Sequence, residues 1–182
     1  MKILLTVGHS KLKNGCITSA DGTKLGGGNE YLFNKSFSKY VKKEIEKLGH
    51  TVDLVICPEG VFTKSFQEKS YKLNKELAKK YDLVIELHLN ASNNKKAEGT
   101  EVLYYSNTGK KYAESVQKQL AKVFIDRGAK RATNLYILKQ TKAPAILIET
   151  FFCTNAAEWR YASTHKQKIA KLIASGVNDC VK

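Results

Sequence analysis

Proline is almost absent from this chain, with two residues in 182. No Ser/Gly/Pro-rich linker, low-complexity tract or internal repeat divides it. These absences argue against a linker-joined array or a solenoid and leave one domain over residues 1–182. No apolar run approaches the roughly 18 to 20 residues of a bilayer span, so no membrane segment is expected. The opening "MKILLTVGHS" has one Lys, a short apolar run broken by His9 and no small-residue cleavage site after it. It reads as a first strand, and synthesis in the cytoplasm without a signal peptide is the expectation. The four cysteines, Cys16, Cys57, Cys153 and Cys180, form no C-x-x-C pair and are expected to be free thiols, buried or partly buried. Acidic residues are scarce, 17 against 31 Lys and Arg, for a formal charge of +14. Such a chain is drawn to polyanions, whether nucleic acid, anionic lipid or anionic wall polymer. The cations are spread along "KYVKKEIEK", "KSYKLNKELAKK" and "HKQKIAKL", a pattern that a merely solvated face also shows.

What is present is enough apolar sequence for a core, 42% of residues, arranged in two alternating periods. "KILLTVG", "TVDLVIC", "DLVIELHL" and "TEVLYYS" read as strands one to four, and "NLYIL" and "AILIETFF" as strands five and six. Between them, apolar residues recur at helical spacing. Phe33, Phe37, Val41, Ile45 and Leu48 mark a first helix from Glu30, stopped by Gly49. Phe66, Leu73, Leu77 and Tyr81 mark a second, and Tyr112, Val116, Leu120 and Phe124 a third that stops at Gly128. Ile169, Leu172, Ile173 and Val177 stripe a C-terminal helix. The alternation predicts an α/β fold, a largely parallel six-stranded sheet flanked by helices.

In such sheets ligands bind at the carboxyl ends of the strands. His9 ends strand one, His88 and Asn90 end strand three, and Glu149 ends strand six. Glu30 opens the first helix after "KLGGGN", on the same edge. Two imidazoles and one carboxylate make a common catalytic zinc set, with a fourth position for a water whose pKa falls toward roughly 7. No compact H-E-x-x-H is present; the candidates are scattered, and the fold must assemble them. Each has an ordinary explanation. A lone strand-end His is commonly a hydrogen-bonded structural residue, and Glu30 suits a helix N-terminus. Glu149, inside an apolar run, resists that treatment, because an unpaired buried carboxylate costs several kcal/mol. Glu86 shares the parity of His88 and Asn90. Two readings of it stand: an acceptor that fixes the tautomer of His88, or a carboxylate paired with a Lys under the sheet.

"TVGHS", "EYLFN" from Glu30, "HLNAS" from His88 and "LIETFFCTN" from Leu147 carry a resemblance. Their order and context resemble the zinc-dependent N-acetylmuramoyl-L-alanine amidases of the amidase-3 type over nearly the whole chain. Within that family the chain resembles the catalytic domains of endolysins from clostridial phages. The resemblance implies Zn2+ held by His9, Glu30 and His88, with Glu149 as catalytic carboxylate. It implies hydrolysis of the amide between N-acetylmuramic acid and the L-alanine of the peptidoglycan stem peptide. Two departures stand out. Many members have G-H-G-G where this chain has Gly8-His9-Ser10, and many have Ser where it has Glu86.

The expected function is therefore a zinc-dependent peptidoglycan amidase acting as a wall-lytic endolysin after release from the cell. Its expected partners are bacterial peptidoglycan and, through the basic surface, anionic wall polymers. Nucleic acid and a membrane span are not expected, and a monomer is. The competing enzyme is a zinc peptidase cutting within the stem peptide. The competing non-enzyme is a basic module that binds wall polymer or nucleic acid, for which the polar strand ends are accidental.

Overall fold

The computed structural model describes Met1–Val181, so Lys182 of the expected domain lies outside the described residues. Six strands form one sheet among them: β1 (Lys2–Val7), β2 (Thr51–Val55), β3 (Leu83–Asn90), β4 (Thr100–Tyr104), β5 (Asp126–Arg131) and β6 (Ala145–Phe152), in the order β2-β1-β3-β6-β4-β5. All pairings are parallel except β4 with β6. Parity divides the sheet into two apolar faces. Ile3, Leu5, Leu83, Ile85 and Leu87 turn to one side, under α1 (Glu30–Glu46), α3 (Asn107–Leu120) and α6 (Lys166–Asp179). Leu4, Val84, Ala145 and Leu147 turn to the other, where Ile137 and Leu138 of α4 (Tyr136–Gln140) cover them. That second cover is thin, which leaves room for a cleft. α2 (Ser65–Leu77) and α5 (Ala156–Thr164) complete the helices.

The α/β class, the sheet and five of its strands are where the sequence predicts them. The fifth differs. "NLYIL" is not a strand; from Tyr136 onward it forms the short helix α4, burying Ile137 and Leu138. The fifth strand is instead "DRGAKR", which overlaps the end of the stretch read as the third helix and runs past Gly128, and α3 stops at Leu120. This strand lies at the sheet's edge, where charged side chains guard against pairing with other chains and hide the apolar alternation. α2 also departs from its expected face. It buries Glu68, Lys72 and Glu76, while Phe66 and Leu77 are 60% and 44% exposed.

Candidate metal centre

His9 follows β1 with φ of 67°, the one left-handed non-glycine residue among those described. Holding a side chain there costs about 1 to 3 kcal/mol. Gly8 before it must lack a side chain, since a Cβ would lie 2.2 Å from Cε1 of His88. Glu30 is the first residue of α1, whose N-terminus is capped by the Asn29 side chain accepting from the Leu32 N–H at 3.1 Å. With that task assigned to Asn29, the Glu30 carboxylate turns to the imidazoles. Oε1 lies 2.9 Å from His88 Nδ1 and Oε2 lies 3.2 Å from His9 Nε2. Backbone N–H groups of Leu89 and Ala20 donate to the same two oxygens at 3.0 and 3.2 Å.

Ligand atoms of His9, Glu30 and His88 all lie within 4.8 Å of one another. The three residues singled out in the sequence are thus brought together, from a strand end, a helix start and a neighbouring strand. Two neutral nitrogens and one carboxylate oxygen suit zinc, and three protein donors leave a coordination position free for chemistry. Burial alone would raise the pKa of Glu30, but hydrogen bonds from His88 and His9 outweigh it and hold the carboxyl well below its usual range. Burial works against a charge on His88, yet the flanking Glu30 and Glu86 carboxylates push its pKa up to about 10. A metal ion fits this cluster because it takes the place of the proton held between His88 and Glu30.

Glu149 sits beside His88 in the β3–β6 register, so both side chains project from the same face. Its Oε2 is buried with no protein hydrogen-bond partner. Burial raises its pKa to about 7; the opposing pull of His88 is offset by the negative charges of Glu30, Glu101 and Glu86. His9, His88 and Glu149 line a cleft of about 310 Å³, with Glu68, Lys69 and Lys72 of α2 on one wall and Leu135, Tyr136 and Ile137 at α4 on the other. Asn90 turns away from this group and donates to Glu101 at 2.9 Å.

Glu86 makes both of the contacts considered for it. Oε1 lies 3.1 Å from His88 Nε2, and Oε2 lies 2.6 Å from Lys72 Nζ. Thr6 Oγ1 adds a hydrogen bond to Oε2 at 3.0 Å. Burial opposes its ionisation, but Lys72 and His88 hold its pKa well below the usual range. Sequence reasoning missed Lys72, Glu68 and Thr18, which adjoin the cluster. The signal was present in the four-residue spacing of Glu68, Lys72 and Glu76, a polar stripe along one helix face.

The chain belongs to the N-acetylmuramoyl-L-alanine amidase family, whose pattern matches residues 3–179. It is 49% identical to a solved structure described as the catalytic domain of the CD27L endolysin targeting Clostridia Difficile, with a TM-score of 0.93 over 98% of this chain and 97% of that one. N-acetylmuramoyl-L-alanine amidase LytC of Bacillus subtilis is 35% identical over 114 residues, 59% of this chain. AmiC2 of Nostoc punctiforme, at 22% identity and a TM-score of 0.83, shares the fold over all of this chain and 97% of its own. The chain spans between 22% and 56% of the lengths of the curated relatives it matches.

Proposed function

We propose that residues 1–182 form the catalytic domain of a zinc-dependent, wall-lytic endolysin. The bond cut is the amide between N-acetylmuramic acid and the L-alanine of the stem peptide. One observation carries this reading: two imidazoles and a carboxylate converge within 4.8 Å, beside Glu149 with its unpartnered buried oxygen. Family membership and the likeness to an endolysin catalytic domain support the choice of bond. His9, Glu30 and His88 would hold the metal, and Glu149 would carry the proton.

Bound zinc would supply Lewis acidity toward the scissile carbonyl and toward water. Glu149 Oε2 accepts the proton as water adds to the carbonyl carbon. The same oxygen returns it to the amide nitrogen as the C–N bond breaks, leaving the lactyl carboxylate and a free L-alanine amine. A pKa near 7 suits a group that both takes and gives a proton at neutral pH. The walls at α2 and α4 confine the reacting groups. The domain acts on peptidoglycan after release from the cell, with anionic wall polymers meeting its basic surface.

Digestion of purified bacterial walls, with and without chelator, tests the proposal. The expected products carry free L-alanine amines; chelator stops their release and zinc restores it. New amines found only within the stem peptide would replace the amidase by a peptidase. Release unaffected by metal removal would overturn the zinc mechanism.

A further inference from the structure

α2 presents an inverted face. An amphipathic surface helix ordinarily buries its apolar stripe, yet α2 leaves Phe66 and Leu77 outside and buries Glu68 and Lys72, 3% and 2% exposed. These two residues stand one turn apart, and each reaches toward a different imidazole of the metal cluster.

On the His9 side the contact passes through Thr18. Its hydroxyl donates to Glu68, with Oγ1 3.1 and 3.2 Å from the two carboxylate oxygens. The hydroxyl's single proton is then committed, and its lone pairs face two donors. The Ser10 N–H lies at 3.2 Å and His9 Nδ1 at 3.4 Å. Thr18 therefore accepts from Nδ1–H, which leaves Nε2, the nitrogen facing Glu30, as the one that would give up its proton to a metal. Ser10 Oγ also donates to Glu68 at 2.6 Å and anchors that carboxylate.

On the His88 side the contact passes through Glu86. An ionised carboxylate only accepts, so Nε2 of His88 donates to it at 3.1 Å. Nδ1, the nitrogen facing Glu30, is then the one whose proton a metal would replace. Lys72 fixes Glu86 by its ion pair at 2.6 Å, and also donates to the Val7 carbonyl at 3.3 Å, at the end of β1.

We propose that α2 is the positioning element of the metal site: Glu68 through Thr18 sets the tautomer of His9, and Lys72 through Glu86 sets that of His88. The two imidazoles thereby offer unlike nitrogens, Nε2 and Nδ1, to one ion. By linkage, an ion that favours the docked helix is itself favoured by docking. Zinc binding therefore slows amide exchange along Ser65–Leu77. The inference rests on the reading of His9, Glu30 and His88 as zinc ligands.

The test is zinc affinity by chelator competition, together with hydrogen exchange of α2. Thr18→Val and the pair Lys72→Met/Glu86→Met, which remove the acceptors, should each weaken zinc by about 10- to 100-fold, the usual worth of groups that orient ligands. Thr18→Ser and Lys72→Arg each keep an acceptor anchored to α2, and should retain most of that affinity. Zinc should protect α2 amides in the wild type and less so in the two weakened variants. Wild-type affinity in either weakened variant, or no recovery in its conservative counterpart, overturns the claim that α2 serves both imidazoles. A wild-type chain that binds no stoichiometric zinc overturns the ligand assignment itself, and this inference with it.

Discussion

Carboxylates at the candidate site share one chemistry and differ in their neighbours, and that difference underlies the separate roles proposed for them. Glu30 has two imidazoles and two backbone N–H groups directed at its oxygens; Glu149 has an oxygen with no protein partner. Glu149→Gln keeps the shape but cannot take a proton. Zinc content and folding should stay near wild type while turnover falls by about 10² to 10⁴-fold, the usual worth of a general base. Glu30→Gln should weaken the metal itself. If the first variant loses zinc and the second keeps it, the two roles are exchanged. Cysteines divide by burial in the same way. Burial pushes the pKa of Cys57 up to about 11 and that of Cys153 up to about 12, whereas Cys16 is exposed. A thiol reagent at neutral pH should modify Cys16 in the native protein and reach Cys57 and Cys153 only after unfolding, since the thiolate is the reacting form. Fast labelling of all four native thiols would contradict that burial. His9, Glu30, His88 and Glu149 were legible in the sequence because polar residues at strand ends and a helix start stand out against apolar runs. Thr18, Glu68 and Lys72 were not. Their task depends on side-chain contacts across 9 to 65 residues of chain, and the polar stripe at Glu68, Lys72 and Glu76 marks a buried polar face without saying what it meets.

The sheet and its main helices were legible because period-2 and period-3.6 patterns report burial directly, and most of these elements are half or fully buried. The exceptions are elements shaped by something else. β5 lies at the edge and carries charge. α4 is a five-residue helix opening on the apolar run Tyr136–Leu138, too short for periodicity to separate it from a strand. α2 docks through polar bonds, so its apolar residues mark the outer face. α3 and α6 show the opposite regime, in which backbone packing decides. A Cβ at Gly176 of α6 would lie 2.6 Å from Cα of Val116 in α3 and 3.0 Å from the Ser115 carbonyl oxygen. In an isolated helix Gly→Ala gains about 1 kcal/mol. Here the obstacle is backbone, which cannot swing aside, and overpacking of this kind costs about 1 to 3 kcal/mol. Gly176→Ala should therefore lower the urea midpoint despite the better helix former. A raised midpoint would mean that the two helices separate without penalty.

Over the whole molecule, the formal charge of +14 understates how positive the surface is. Glu30, Glu44, Glu68, Glu76, Glu86 and Glu158 are buried among the described residues, against the single buried cation Lys72. Carboxylates are drawn inward to the His9–Glu30–His88 cluster and to loop anchors, as where Glu158 accepts the Gly99 and Phe152 N–H groups at 2.8 and 2.9 Å. The lysines remain outside, many on the helices that flank the sheet. Such a field attracts an extended polyanion such as a wall polymer over distances beyond contact. It adds little to the handling of a small substrate already in the cleft. Salt separates the two effects, because the Debye length falls from about 10 Å at 0.1 M ionic strength to about 3 Å at 1 M. Lysis of intact walls should decline steeply over that range, while hydrolysis of a small soluble muropeptide changes little. Replacing exposed lysines of α1 and α6 by glutamine should lower lysis at low salt and flatten its salt dependence, leaving the soluble reaction intact. Equal salt sensitivity on both substrates would locate the effect in the cleft and remove the basic surface from the proposed mode of wall binding.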